Sequence, residues 1–126
     1  MMKAMLSIRP EYVDRILAGE KTYEYRRRLF KKPDVDAILI YCTSPQSAVV
    51  GEVAIESILE STPQELWDST NKHGGIDYES FMDYFKGVTT AYAIKLGEVL
   101  KFDTPKPIED YAPAIKRAPQ SFVYVD

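Results

Sequence analysis

At 126 residues, with a net charge of −3, 45% apolar and 28% charged residues, the sequence has the make-up of one ordinary globular domain spanning 1–126. The longest apolar run, Ala37-Ile38-Leu39-Ile40-Tyr41, falls far short of the roughly 20 residues of a membrane span. The basic N-terminus leads into no apolar signal core, so a cytoplasmic location without membrane attachment is the expectation. A single cysteine, Cys42, excludes an internal disulfide, and with a single histidine, His73, no metal or cofactor is expected.

Met2 to Ile8 reads as a short apolar strand, ended by Arg9-Pro10, where the proline suits the first turn of a helix. Tyr12, Val13, Ile16 and Leu17 then form one helical stripe, and Gly19 supplies a left-handed stop. Tyr23 to Phe30 predicts a strand with Tyr23, Tyr25, Arg27 and Leu29 on one face and Glu24, Arg26, Arg28 and Phe30 on the other. Ala37 to Thr43 predicts a buried strand, so Cys42 reads as a buried small hydrophobe, and Ser44-Pro45-Gln46-Ser47 turns the chain.

Ala48 to Leu59 predicts a long strand in which Gly51 marks a bulge or a close backbone approach, bending the sheet toward a barrel. Thr62-Pro63-Gln64-Glu65 is a capping pattern opening a helix through Trp67, and Asp77 opens another with Phe81, Tyr84 and Phe85 on its apolar side. Between them, Lys72-His73-Gly74-Gly75 reads as a loop with a solvated histidine. Thr89 to Phe102 returns to strand, broken at Gly97; Pro105, Pro107 and Pro113 predict an irregular stretch; and Ser121 to Val125 predicts a last strand. Five or six strands with inserted helices and no regular βα alternation give an α+β fold with a small mixed barrel. No Gly-rich phosphate fingerprint is present.

The charge is uneven. Residues 3–32 hold nine Lys or Arg against four Asp or Glu, a net +5, while the remainder is −8. A local basic face on an acidic protein can steer a polyanion to one place. Within it, Gly19, Lys21, Glu24 and Arg26 stand at the junction of a helix and a strand. Taken on its chemistry, Lys21 is a solvated side chain, an anion contact or, if desolvated, a base; Glu24 and Arg26 are a structural ion pair or a ligand-gripping pair.

The spacing G-x-K-x-x-E-x-R resembles the motif of the ASCH domain family. The resemblance extends to Leu6-Ser7-Ile8-Arg9-Pro10, Ile40-Tyr41-Cys42-Thr43-Ser44-Pro45, Gly51-Glu52 and Ala118-Pro119-Gln120-Ser121-Phe122, and so covers essentially the whole chain. ASCH domains are similar to PUA domains, small β-barrels that bind RNA, and the motif lines a cleft beside the barrel. The resemblance implies that Lys21, Glu24 and Arg26 project into that cleft, with Ser7, Arg9, Thr43 and Ser44 as wall residues and Tyr23 or Tyr25 available to stack on a base. The implied ligand is RNA or a modified nucleoside, and the run Arg27, Arg28, Lys31 and Lys32 contributes charge or is simply a solvated strand end.

Two further activities follow from the same resemblance. Some small ASCH proteins hydrolyse the acyl amide of N4-acetylcytidine, with Lys21 and Glu24 as the matching catalytic positions, although that subgroup has threonine where this chain has Glu24 and the neighbouring hydroxyl is Thr22. An ASCH protein is associated with metal-dependent cleavage of single-stranded RNA, for which this sequence offers no compact carboxylate cluster. Apart from the resemblance, the remaining alternative is a protein-interaction domain, with a dimer formed through an exposed strand edge, and the expected state is a monomer or weak homodimer.

Overall fold

The computed structural model describes residues 2–111, 118–119 and 121–125. Six strands, β1 (Met2–Ile8), β2 (Tyr23–Arg26), β3 (Val35–Cys42), β4 (Ala48–Ser61), β5 (Ala91–Lys106) and β6 (Phe122–Val125), form one sheet in the order β2-β5-β4-β3-β1-β6. Only β1 and β3 run parallel, joined by a crossover that contains helix α1 (Pro10–Leu17) and β2; the other pairs are antiparallel. Helices α2 (Pro63–Thr70) and α3 (Tyr78–Tyr84) fill the connection from β4 to β5. The architecture is therefore the α+β class read from the sequence, with the expected small mixed barrel present as a mixed sheet that is barrel-like without closing.

Strand alternation sorts the apolar residues into two sides. Ala4, Leu6 and Ile8 of β1, Ile38, Ile40 and Cys42 of β3, Val53 of β4 and Ile94 of β5 share one core with Val13 and Ile16 of α1. Met5, Leu39, Tyr41 and Val49 point the other way, into a second cluster with Ile108 and Val125. A third cluster packs Tyr25, Ala91 and Ala93 against Leu66 of α2 and Phe81 and Phe85 of α3. Cys42 is buried as expected, and burial pushes its thiol pKa up.

The long strands bend where their pairing slips. Register shifts flank Gly51, at Ile40/Tyr41 and Val49/Gly51, and a Cβ at Gly51 would stand 2.8 Å from the Leu100 carbonyl oxygen. Further shifts at Val53/Ile55 and Ile55/Ser57 let β4 and β5 curl. The hydrogen-bonded ladder stays open between its ends, β2 and β6. There Arg26 Nη2 at the end of β2 donates to the Ser121 carbonyl at 2.8 Å, so a side chain ties the two ends of the curl together.

The largest differences from the sequence reading fall on β2 and β5. The strand expected over Tyr23 to Phe30 stops at Arg26, because its partner β5 begins at Ala91, opposite that point. Past it the chain folds across the mouth of the sheet, burying Phe30 against Phe122 with ring centroids 6.0 Å apart. Conversely, β5 runs unbroken through Gly97 and Pro105 to Lys106. Beyond Lys95 it pairs with β4 alone, so a proline without an N–H is accommodated on the free edge. Pro113 lies outside the described residues.

Candidate functional site

The motif is built by the end of α1. Gly19 takes φ +80, and the backbone N–H groups of Glu20 and Lys21 both donate to the Arg15 carbonyl, at 2.9 and 3.0 Å. This wraps the chain tightly under the helix and delivers Thr22 to β5, where its carbonyl accepts from Leu96 N–H at 2.9 Å. Glu24 then pairs with Ile94, and the alternation of β2 turns Glu24 and Arg26 toward the mouth of the curled sheet. Their ion pair, Arg26 Nη1 to Glu24 Oε2, spans 3.1 Å.

Lys21 is only 4% exposed and Glu24 only 6%. The Lys21 ammonium lies over the rings of Tyr12 and Tyr25, 5.3 and 4.8 Å from their centroids, and donates to the Gly74 carbonyl. Two aromatic faces and a carbonyl supply negative potential, yet they compensate only part of the lost hydration. Burial accordingly lowers the Lys21 pKa from 10.5 to about 8, with Glu24 opposing the shift and Arg15 adding to it. Among the described residues no carboxylate lies within ion-pair distance of its amine.

The cover over Lys21 is the 72–75 segment, a loop as its glycines predict. The Thr22 N–H donates to the His73 carbonyl at 2.9 Å, and Arg15 Nη1 donates to the Gly75 carbonyl at 2.5 Å. Gly75 adopts φ +66, and a Cβ there would lie 2.8 to 3.0 Å from the Lys21 side chain; a Cβ at Gly74 would collide with the Tyr25 hydroxyl. Only glycine lets this backbone approach so closely. The His73 side chain itself is exposed, as expected.

These residues open onto a cleft of about 460 Å³ lined by Ser7, Arg9, Lys21, Glu24 and Arg26 from the expected set, together with Tyr12, Ile76 and Ser80. Asp83 and Tyr84 of α3 close the opposite wall. Helix α3 was readable from its Asp77 cap, whose side chain accepts from Ser80 N–H at 3.3 Å, but nothing local tells which of its residues face a strand some 60 positions earlier. Tyr25 also lines the cleft, although its ring is mostly a core group: it stands 4.9 Å from Phe81, and its hydroxyl meets Thr70 Oγ1 at 2.7 Å.

Two expected wall residues, Thr43 and Ser44, and one expected stacking group, Tyr23, are not brought to the cleft. Tyr23 packs against the α2 and α3 cluster because odd positions of β2 face that side. Thr43 and Ser44 lie past the end of β3, where Thr43 N–H donates to the Ile8 carbonyl at 3.0 Å, and neither lines the cavity. Thr22 is likewise absent from the lining; the hydroxyls present are those of Ser7, Ser80 and the tyrosines. Among the described residues no group of three or more His, Cys, Asp or Glu is gathered as a metal-binding cluster.

A curled mixed sheet with a buried lysine, a carboxylate and an arginine at its mouth defines a small PUA-like α+β domain. A model of the ASCH domain matches residues 6–107, and the chain belongs to the ASCH domain family. It is 34% identical over 95 residues to an ASCH domain-containing ribonuclease of Zymomonas mobilis, a match covering 75% of this chain and 64% of that protein. The chain thus spans less than two thirds of this relative's length. The crystal structure of an ASCH protein from Zymomonas mobilis superposes with a TM-score of 0.88 at 27% identity, covering 98% of this chain and 87% of that one. A 28% identical match over 88 residues, 70% of this chain, falls within 28% of the large ribosomal subunit protein uL22 of Ureaplasma parvum.

Proposed function

We propose that this ASCH domain acts on RNA, holding a single-stranded segment with one nucleotide in the cleft of Lys21, Glu24 and Arg26. The observation that carries this reading is Lys21, a cation with no carboxylate partner among the described residues, buried at the wall of a cavity of about 460 Å³. A buried cation left without a counter-charge favours an anionic occupant, and a cavity of this size suits a nucleotide. Arg9 and Arg26 add donors for phosphate or base edges, while Glu24 and Asp83 can accept from base amino groups.

Binding of labelled single-stranded RNA, followed by fluorescence anisotropy across a salt series, tests it. The expected result is binding that weakens steeply with salt and loses about 10- to 100-fold in affinity in Lys21→Ala. Binding should also decline above pH 8, as the amine loses its proton. No binding even at low salt would overturn the proposal.

Cleavage of the bound strand is a second reading, favoured by the ribonuclease among the relatives and by the Lys21 pKa of about 8, which lets the amine exchange a proton near neutrality. Lys21 or Glu24 would take the proton of the attacking oxygen. Gel analysis of labelled RNA incubated with and without divalent cations decides it, and cleavage undiminished in both Lys21→Ala and Glu24→Gln would remove these residues from the chemistry. Release of cytidine from N4-acetylcytidine by the same preparation would redirect the assignment to amide hydrolysis.

A further inference from the structure

A second hollow of about 460 Å³ adjoins the cleft, lined by Arg26, Arg27, Arg28, Tyr84, Val88 and Ser121. Arg26 and Tyr84 line both cavities, so the two are contiguous. Their electrostatics differ. The cleft sets Arg9, Lys21 and Arg26 against Glu24 and Asp83, whereas the second hollow presents three arginines and, among the described residues, no carboxylate. Arg26 is held in place by bonds from Nη1 to Glu24 and from Nη2 to the Ser121 carbonyl, which leave it its other donors, while Arg27 and Arg28 are exposed and unpaired with any carboxylate among the described residues.

We propose that this second hollow is a phosphate track: the phosphodiesters flanking the cleft-bound nucleotide run past Arg27 and Arg28, making the ligand an oligonucleotide rather than a free nucleoside. The proposal rests on the RNA-binding reading of the cleft. Guanidinium forks match phosphate oxygens two at a time, and exposed ones retain the freedom to follow a flexible backbone. Tyr84, 38% exposed at the junction, offers a ring on which the next base can stack. Phe85 supports that ring from 4.9 Å, at an interplanar angle of 67°.

The neighbouring Lys31 and Lys32, equally basic in sequence, lie beside Tyr124 instead. Their backbone N–H groups donate to the Tyr124 hydroxyl at 2.9 and 3.2 Å, and the Lys32 ammonium lies 4.6 Å from the Tyr124 ring centroid. Neither lines either hollow. Of the four charges following the motif, only two therefore serve the ligand.

The test is a length series of uridine oligomers, from the mononucleotide to the octamer, titrated against the full chain by NMR for the short members and anisotropy for the long ones. Wild type should gain at least about tenfold in affinity from mononucleotide to octamer, with a salt slope steepened by about 0.7 per added phosphate contact. In the Arg27→Ser, Arg28→Ser double variant the octamer-to-mononucleotide ratio should fall toward unity and the octamer slope should drop by about 1.4. In Lys31→Ser, Lys32→Ser the ratio should persist. An unchanged ratio in the arginine variant, or an equal loss in the lysine variant, overturns the track. Mononucleotide binding with no gain on lengthening also overturns it and leaves the cleft intact, whereas no binding of any member brings down the cleft reading itself.

Discussion

Two basic stretches lie within eight residues of each other and are treated oppositely by the fold. Lys21 is carried under α1, covered by the 74–75 backbone and sandwiched between tyrosines, whereas Arg27 and Arg28 stand exposed where β2 has lost its partner strand. Equal formal charge thus yields unequal chemistry. The buried amine is poised near neutral pH and is expensive to keep charged; the exposed guanidinium groups keep their charge at little cost to the fold. On the proposed RNA-binding reading, discrimination falls to the first environment and the added salt-dependent affinity for a longer strand to the second.

The largest expected effect comes from removing the cover. Gly75→Val places a branched side chain at φ +66 and against Lys21, so unfolding in urea should show a loss of about 2–4 kcal/mol. The same variant should return Lys21 toward its ordinary pKa, read from the pH dependence of its acylation. A Lys21 titration that stays near 8 would show that burial by α1 and the tyrosines suffices without the loop.

Next comes the pH dependence of stability. Folded Lys21 titrates near 8 and the unfolded residue near 10.5. Below pH 8 both states hold the proton, and the burial penalty, roughly 3 kcal/mol, is fully present. Between 8 and 10.5 the folded protein sheds the proton first, so stability contributed by this residue rises with pH. Lys21→Met avoids the penalty but leaves the Gly74 carbonyl without its donor, at a cost of about 1 kcal/mol. The variant should be more stable than wild type by about 1–2 kcal/mol at pH 7, and the difference should shrink or reverse by pH 10. A difference constant with pH would contradict the assignment of a depressed pKa.

Much of the cationic half of the site was legible in the sequence, because it is local: a helix stop, a tight turn and a period of two place Gly19, Lys21, Glu24 and Arg26 without reference to the rest of the chain. The other half was not. Gly74 and Gly75 act through their backbone, and composition shows only that they permit a loop; Asp83 and Tyr84 reach the cleft through the docking of α3 on β2, a long-range event. The shortened β2 has the same origin, since a strand ends where its partner ends and the start of β5 is fixed by the helices before it. Tyr23 shows the reverse case: its alternation with Glu24 was read correctly, but which face met the cleft depended on where α2 and α3 pack.

Glu24 links the two environments, and its removal gives a smaller effect. Glu24→Gln keeps the shape while deleting the charge that holds the Lys21 pKa up and pairs with Arg26. The Lys21 titration should move further below 8, so that RNA binding is lost at a lower pH than in wild type. Arg26 keeps its bond to the Ser121 carbonyl, and stability should fall by only about 1 kcal/mol. A Lys21 titration that moved upward instead would mean that Glu24 acts mainly by excluding water rather than by its charge.

The smallest expected effect falls on the exposed pair. Arg27→Ser and Arg28→Ser remove exposed side chains that have no carboxylate partner among the described residues, so the unfolding free energy should stay within about 0.5 kcal/mol of wild type. Removing positive charge from the +5 stretch of residues 3–32 also lowers its self-repulsion, which sets the expected sign toward slight stabilisation at low salt. A destabilisation beyond 1 kcal/mol, measured by chemical denaturation, would show that these arginines help hold the mouth of the sheet closed beside Arg26. The contrast between a costly buried cation and inexpensive exposed ones would then have to be redrawn as two structural cations and one ligand-binding lysine.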